Sequence, residues 1–163
     1  MKHTISILVE NQAGVLARIA GLFARRAYNI DSLAVGVTED KHISRVTIVA
    51  EGSEYTLEQI LKQLNKLIDV IKVRTVSEHE LLSRELVLIK VCCTPAQRAE
   101  LISIAEISEA KISDISVSTM TLELSDYEGK IRTFEELLRP YGIKEIVRTG
   151  TIAIQRGSAS LTI

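Results

Sequence analysis

Two asparagines and a glycine near the amino terminus are the residues with the clearest chemical use in this sequence. Asn11 and Gly14 lie in the polar turn NQAGV, and Asn29 follows the next apolar segment. Glycine allows a backbone to approach a ligand closely. The turn opens a predicted helix that has no strong side-chain cap, and the helix dipole adds a partial positive charge there. These conditions favour a bound carboxylate at the amides of Gly14, Val15 and Leu16.

Asn11 and Asn29 are too far apart to serve one small ligand within a single chain. A carboxamide both donates and accepts, so each could meet an ammonium or a carboxylate group. The helix between them separates them by roughly 20 Å. Two chains related by a two-fold axis could bring Asn11 of one and Asn29 of the other together. Alternatively, Asn11 and Gly14 only shape a turn between a strand and a helix, and Asn29 is a helix-exit residue.

The rest of the chain offers no chemistry to transform a bound carboxylate. It contains no dinucleotide or phosphate-binding glycine motif and no nucleophile elbow, so we predict no catalytic residues. The three histidines are isolated along the sequence. Cys92 and Cys93 are neighbours in a predicted strand and point to opposite faces, which suits neither a disulfide nor a metal site. This use of cysteine indicates a reducing compartment.

Composition narrows the class of protein further. The chain has 163 residues, enough for one domain or two small ones, and 46% of them are apolar. A net charge of −1, 4% aromatic residues and the absence of tryptophan argue against a nucleic-acid partner. No apolar run approaches the ~20 residues of a membrane span, so we expect no membrane partner. The first ten residues are typical of a strand and not of a targeting peptide.

The first half of the chain predicts the element order β-α-β-β-α-β. Apolar residues alternate in the first strand, recur at helical spacing in both helices, and Ser53 is placed to cap the second helix. The predicted segments are strand 3–10, a helix ending at 27, strands 29–37 and 43–50, a helix after 53, and strand 70–75. This order is the split βαβ, or ferredoxin-like, pattern.

The second half repeats that order without repeating the sequence. Thr94 and Pro95 are predicted to cap and open its first helix, and Pro140 to end its second. The predicted segments are strand 85–92, a helix to 107, strands 111–117 and 119–124, helix 129–138, and strands 145–149 and 151–155. We therefore predict an α+β protein with two tandem ferredoxin-like βαββαβ domains, at 1–76 and 84–163, joined by a linker at 77–83.

Helices in this pattern cover one face of an antiparallel sheet, so the other face must be covered or polar. Each half has only about 75–80 residues, a size at which hydrophobic cores are marginal. Association through an open face or edge is expected, and a homodimer is the simplest form.

The sequence resembles the small regulatory subunits of acetolactate synthase (acetohydroxyacid synthase), whose amino-terminal part is an ACT domain. The most specific segment is VENQAGVLARIAGLFARRAYNIDSL, residues 9–33. The resemblance covers nearly the whole chain and continues in SRVTI at 44–48, KQLNKLIDVIKV at 62–73, REL at 84–86, Lys111-Ile112 and RTGTIAIQRG at 148–157.

This resemblance implies a regulatory role and not an independent enzyme. It implies a partner, the large catalytic subunit, which carries thiamine diphosphate, magnesium and FAD, with no cofactor on this chain. That subunit condenses two pyruvates to 2-acetolactate, the first common step toward valine, leucine and isoleucine. The small subunit would activate it and confer feedback inhibition by valine. An alternative is a free-standing ACT-type amino-acid sensor that acts on another enzyme or a transcriptional partner. The expected compartment is the cytoplasm, or the plastid stroma for an organelle-encoded chain.

The resemblance also implies where valine binds, between two ACT domains. Asn11, Gly14, Val15 and Leu16 of one protomer would face Asn29 and Ile30 of the other. The helix amides would take the carboxylate, the two asparagines would fix polar groups, and Leu16 and Ile30 would help enclose the side chain. The sequence departs from the family at Ala27, where glycine is usual. If that residue is left-handed, alanine costs roughly 1 kcal/mol relative to glycine.

Overall fold

The computed structural model describes residues 1–163 except for the side chain of Glu78. It confirms the α+β class and the two βαββαβ arrangements. By its contacts the chain forms two compact units, residues 1–82 with 151–163, and residues 83–150. The domain limits drawn from the sequence order therefore differ from the compact units at the carboxyl-terminal end, where residues 151–163 pack with the first unit. Among the described residues, no helix is both long enough and apolar enough to cross a membrane.

The first unit is a four-stranded antiparallel sheet with two helices packed on one face. Its sheet has the strand order β2-β3-β1-β4. The elements are β1 (Lys2–Glu10), α1 (Val15–Arg25), β2 (Ile30–Val37), β3 (Ile43–Glu51), α2 (Glu54–Leu64) and β4 (Val70–Thr75). The central strands β1 and β3 pair over their full lengths, from Lys2 opposite Glu51 to Glu10 opposite Ile43. Strand β2 lies at an edge of this sheet.

The core of the first unit lies between the sheet and the two helices. Alternate residues of β1 and β3 point into it, as the period-2 pattern of the sequence predicts. Its buried residues are Ile5, Ile7, Val9, Val15, Ile19, Leu22, Phe23, Val46, Ile48, Ala50, Ile60 and Leu64. Ser53 caps α2 as predicted, because its side chain accepts a hydrogen bond from the amide of Thr56 at 3.2 Å.

The carboxyl-terminal segment 151–163 covers the helix-free face of the first sheet. Arg45 on β3 donates to the carbonyl of Ala153 at 2.8 Å, and Arg74 on β4 donates to the carbonyl of Ser160 at 3.1 Å. The amide of Thr151 donates to Ser32 Oγ at 2.7 Å. Beneath the segment, five residues of β1 and β3 are buried: Ser6, Leu8, Ile43, Thr47 and Val49. The cover that the sequence required therefore comes from the chain itself.

The second unit has the same layered plan. Its sheet has the order β6-β7-β5-β8, and two helices pack on one face. The elements are β5 (Leu81–Cys92), α3 (Arg98–Ser108), β6 (Lys111–Ile115), β7 (Thr119–Asp126), α4 (Glu128–Leu138) and β8 (Ile143–Arg148). Strand β9 (Ile152–Gln155) belongs to the first unit and pairs with β5, whose first two residues lie in that same unit.

The predicted cap of α3 is wrong. The helix begins at Arg98 and not directly after Thr94, and Gln97 is the residue at its start. The Thr94 hydroxyl donates to the Gln97 side-chain oxygen at 2.9 Å, and the Gln97 amide donates to the Thr94 carbonyl at 3.0 Å. These bonds close a separate turn before the helix. Pro140 acts as predicted, because α4 gives way to a short 3-10 turn at Arg139–Tyr141.

Candidate functional site

The turn between β1 and α1 is fixed by the neighbouring β2–β3 turn. The Asn11 amide donates to the carbonyl of His42 at 2.7 Å, and Asn11 Nδ2 donates to the carbonyl of Lys41 at 2.9 Å. The NH₂ group of the Asn11 side chain therefore has a structural role, as expected if Asn11 shapes the turn between strand and helix. No donor among the described residues bonds its Oδ1, so the accepting half remains available. Asn11 is exposed.

Helix α1 starts as an open amino terminus. Gly14 is its N-cap residue. It has φ 87° and ψ −12°, a left-handed conformation that favours glycine. No side chain of the described residues caps this helix, as the sequence predicts. The Arg18 amide bonds the Gly14 carbonyl at 3.0 Å, which makes it the first fully helical donor. The amides of Leu16 and Ala17 therefore precede the first closed turn and point outward from the helix start.

The predicted contact residues at this helix start differ in exposure. The Leu16 side chain is 43% exposed and can cover a ligand. The Val15 side chain is 4% exposed and belongs to the core, so only its backbone is available. The Val15 amide is also partly engaged, since it lies 3.4 Å from the Gln12 carbonyl.

Arg18 adds a cation beside the helix start that sequence reasoning missed. Its Nε lies 2.6 Å from Asp69 Oδ2, and the Asp69 side chain is 9% exposed. A Cβ atom on Gly14 would lie 3.2 Å from Arg18 Nη1, so the guanidinium packs against the glycine. The spacing of four residues from Gly14 places Arg18 one turn along the same helix face. The partner Asp69 is 51 residues away, and no local pattern signals it.

The end of α1 holds Asn29 through a regular helix-ending motif. Ala27 has φ 54°, the left-handed conformation in which glycine is usual. The Ala27 amide bonds the Ala24 carbonyl and the Tyr28 amide bonds the Phe23 carbonyl, both at 3.1 Å. The rings of Phe23 and Tyr28 meet edge to face with centroids 6.3 Å apart. These features define a Schellman motif, in which Ala27 is tolerated and the helix exit is not rearranged.

Asn29 and Ile30 follow this motif at the start of the edge strand. Asn29 is exposed, and its Nδ2 donates to Asp31 Oδ1 at 2.8 Å. Ile30 is partly buried and pairs with Ala50. The eleven residues of α1 separate this end from Gly14 by about 16 Å. Within one chain, the structure therefore groups Asn11, Gly14 and Leu16 at one end and leaves Asn29 and Ile30 at the other.

The outward amides and the helix dipole at the start of α1 are chemically suited to a small carboxylate. Among the described residues, no cluster of three or more histidine, cysteine, aspartate or glutamate side chains could hold a metal ion. The contacts predicted for valine stay a prediction.

Both halves of the chain match family models of the same kind of protein. Residues 5–72 match the model of the acetohydroxyacid synthase small subunit-like ACT domain, and residues 84–157 match the model of the small subunit of acetolactate synthase.

Individual relatives match over almost their full lengths. The probable acetolactate synthase small subunit of Archaeoglobus fulgidus is 50% identical, over 97% of this chain and 99% of that protein. The acetolactate synthase small subunit of Mycolicibacterium smegmatis is 46% identical, over 95% of this chain and 91% of that protein. The crystal structure of the Thermotoga maritima small subunit superposes with a TM-score of 0.90 at 37% identity, over 98% of this chain and 99% of that one. The chain belongs to the family of acetolactate synthase small subunits.

Proposed function

We propose that this protein activates the large catalytic subunit of acetolactate synthase and makes it sensitive to valine. The observation that supports the valine part is the start of α1, where Gly14 is left-handed, Leu16 is exposed and no side chain of the described residues caps the helix. An open helix start of this kind favours an anion. The names of the relatives support the catalytic partner. The large subunit would hold thiamine diphosphate, magnesium and FAD, and this chain would hold none of them.

The proposed valine site uses backbone and side chains in different roles. The outward amides at the start of α1 take the carboxylate, and the helix dipole favours its charge. Asn11 Oδ1 accepts from the ligand ammonium, since its Nδ2 is committed to Lys41. Leu16 covers the aliphatic side chain. Val15 contributes only its backbone, because its side chain lies in the core.

A second protomer supplies the remaining contacts in this proposal. Asn29 and Ile30 lie beyond the reach of a ligand bound at Gly14 of the same chain. Strand β2 follows them at the sheet edge, where a second copy can approach. Two-fold pairing of such copies places each helix start against the partner's helix exit, and it forms two equal sites per dimer.

Valine can inhibit only if it binds the inhibited state more tightly than the active one. A ligand of about eight heavy atoms, at ~1 kcal/mol per atom, has a dissociation constant in the micromolar range or weaker. That range suits a sensor of a metabolite. Because the ligand would touch two protomers, its binding energy acts directly on their interface.

The free-standing sensor is the alternative that this proposal must exclude. An ACT domain alone would suit either role, but residues 84–157 match the model specific to acetolactate synthase small subunits. Affinity purification of the tagged chain should therefore recover a large thiamine-diphosphate enzyme. Recovery of a different enzyme or of a transcription factor in its place would support the alternative.

The substitution Gly14→Asp tests the site directly. We expect loss of valine inhibition in the reconstituted enzyme, with activation of the large subunit retained, because the new carboxylate repels the ligand carboxylate. Gly157→Asp is the matched control: it has φ 76°, and a Cβ there has open space. It introduces the same charge at a residue with a similar positive φ, and it should leave valine inhibition intact. Full valine sensitivity of the Gly14→Asp enzyme would show that the site is assigned wrongly.

A further inference from the structure

A second candidate site lies in the first unit on the helix-free side of its sheet. A cavity of about 230 Å³ opens between the β2–β3 turn, the strands β1 and β3, and the carboxyl-terminal segment. Its lining includes Leu8, Glu39, Asp40, Ile43, Arg45 and Leu161. At ~30 Å³ for each water molecule, it has room for about eight water-sized groups.

Arg45 brings a positive charge to this cavity, and no ion pair is formed with it by the described side chains. Its Nη2 donates to two neutral oxygens, Ser6 Oγ at 3.3 Å and the Ala153 carbonyl at 2.8 Å. Its Nε is buried and has no hydrogen-bond partner among the described residues. Burial lowers the pKa of the Arg45 guanidinium from its ordinary value. A cation withdrawn from water in this way is stabilised by an incoming anion.

Two acidic residues, Glu39 and Asp40, also line the cavity. Glu39 and Asp40 lie in the β2–β3 turn and are exposed. Asp40 Oδ1 accepts from the His42 amide at 2.8 Å, and the Thr38 hydroxyl donates to the Asp40 carbonyl at 3.1 Å. These bonds hold the turn in shape while the Glu39 carboxylate takes no part in them. The lining therefore includes both a cation and acidic residues.

Aliphatic residues complete the lining. Leu8 and Ile43 are buried, and Leu161 is partly buried. Together, Arg45, the acidic residues Glu39 and Asp40 and the aliphatic walls complement a small zwitterion with a hydrocarbon side chain. A ligand with a carboxylate alone would pair with Arg45 but would offer no cation to Glu39 and Asp40. A ligand with an amine alone would offer no anion to Arg45.

We infer that this cavity is a second amino-acid site, which takes an aliphatic α-amino acid with its carboxylate toward Arg45 and its ammonium toward Glu39 and Asp40. It is distinct from the proposed site at the start of α1 and does not depend on it. The β2–β3 turn that walls the cavity also accepts both hydrogen bonds of Asn11, so the two sites contact one shared turn.

The test uses the full-length chain carrying Gly14→Asp, which disables the proposed α1 site. Calorimetric titration with L-valine should show one binding event per chain. Two fragments of valine should bind at least about tenfold more weakly, 3-methylbutanoate because it lacks the ammonium and isobutylamine because it lacks the carboxylate. A crystal soaked in valine should show the ligand in the cavity. Absence of valine binding to this variant, or tighter binding of 3-methylbutanoate than of valine, would overturn the inference.

Substitutions in the lining make the test specific. Arg45→Met should abolish binding, but it also removes the bond to Ala153 and can loosen the carboxyl-terminal segment. Glu39→Lys avoids this problem because Glu39 is exposed, and it should weaken valine binding about tenfold. Glu136→Lys, at an exposed position of α4, makes the same charge change away from the cavity and should leave the affinity unchanged. Equal affinities of the Glu39→Lys and Glu136→Lys chains would refute the cavity site.

These results separate the cavity from the site at α1. If Gly14→Asp left valine inhibition intact, the α1 proposal would fail, and the effect of Glu39→Lys on binding would still decide the cavity. If Gly14→Asp removed inhibition and Glu39→Lys had no effect, only the cavity would fail.

Discussion

Ala27 occupies a backbone conformation that most residues avoid, and it does so at the point that places Asn29. Its φ of 54° would suit glycine, but the hydrogen bonds of the helix end are intact around it. The strain is held by the packing of Tyr28 on Phe23. The position of Asn29 therefore depends on Ala27, whose backbone conformation is unfavourable for alanine and is stabilised by the surrounding hydrogen bonds and packing.

We expect Ala27→Gly to raise the free energy of unfolding by about 1 kcal/mol, because glycine adopts positive φ without steric cost. Urea denaturation followed by circular dichroism would measure this change. Ala20→Gly, at an exposed position within α1, is the control and should lower stability by about 0.5–1 kcal/mol. If both substitutions destabilised the protein equally, Ala27 would not be strained in solution.

The residues of the candidate site were predictable to different degrees. Gly14 and Asn11 could be found because they occur in a recognisable turn before an uncapped helix. The burial of Val15 was predictable too, because Val15 belongs to the apolar stripe of α1 with Ile19 and Leu22. The pair of Arg18 and Asp69 could not be found, because it forms only when the α2–β4 turn meets the start of α1.

At the scale of elements, two helices show why a cap cannot be read from residue type alone. Ser53 and Thr94 both precede helical segments and both have a hydroxyl suited to an N-cap. Ser53 adopts an extended backbone and bonds the Thr56 amide, whereas Thr94 belongs to a turn that ends before α3 starts. The difference arises because Gln97, and not Thr94, is the last residue before the regular helix.

This difference predicts unequal effects of alanine. Ser53→Ala removes a cap and should lower the free energy of unfolding by about 1 kcal/mol. Thr94→Ala removes an exposed side-chain contact and should change it by less than about 0.5 kcal/mol. Thermal or urea denaturation of the two variants would measure both values. A larger loss for Thr94→Ala would mean that α3 begins earlier than the structure shows.

The strands were the most predictable elements. The alternation of β1 and β3 gave their positions to within about one residue, since one face of each is buried in the core. Strand β5 begins four residues earlier than expected, at Leu81, because the polar junction before it is shorter than its composition suggests. Local polarity does not show where a strand gains a partner.

At the scale of the whole molecule, the role of residues 151–163 was not predictable from the sequence. Their order along the chain assigned them to the second domain, but they cover the sheet of the first unit. Arg45, Lys72 and Arg74 recognise backbone carbonyls of this segment, and such contacts leave no pattern in either partner sequence. A fragment ending at residue 76 would expose Leu8 and Val49, so functional dissection of this protein should retain the segment.

The central claim is that one valine site is built from two chains, and mixing two defective variants tests it. Gly14→Asp disables the helix start and Asn29→Ala disables the helix exit. A mixed dimer pairs the intact Gly14 of one chain with the intact Asn29 of the other, so it contains one whole site. Random mixing of equal amounts should restore about a quarter of all sites.

The measurement is valine inhibition of the large subunit reconstituted with each variant and with the mixture. We predict no inhibition for either variant alone and partial inhibition for the mixture. A mixture of Gly14→Asp with the double variant Gly14→Asp, Asn29→Ala contains no whole site and should stay insensitive. If verified mixed dimers of the two single variants remained insensitive, the account of a shared valine site would be contradicted.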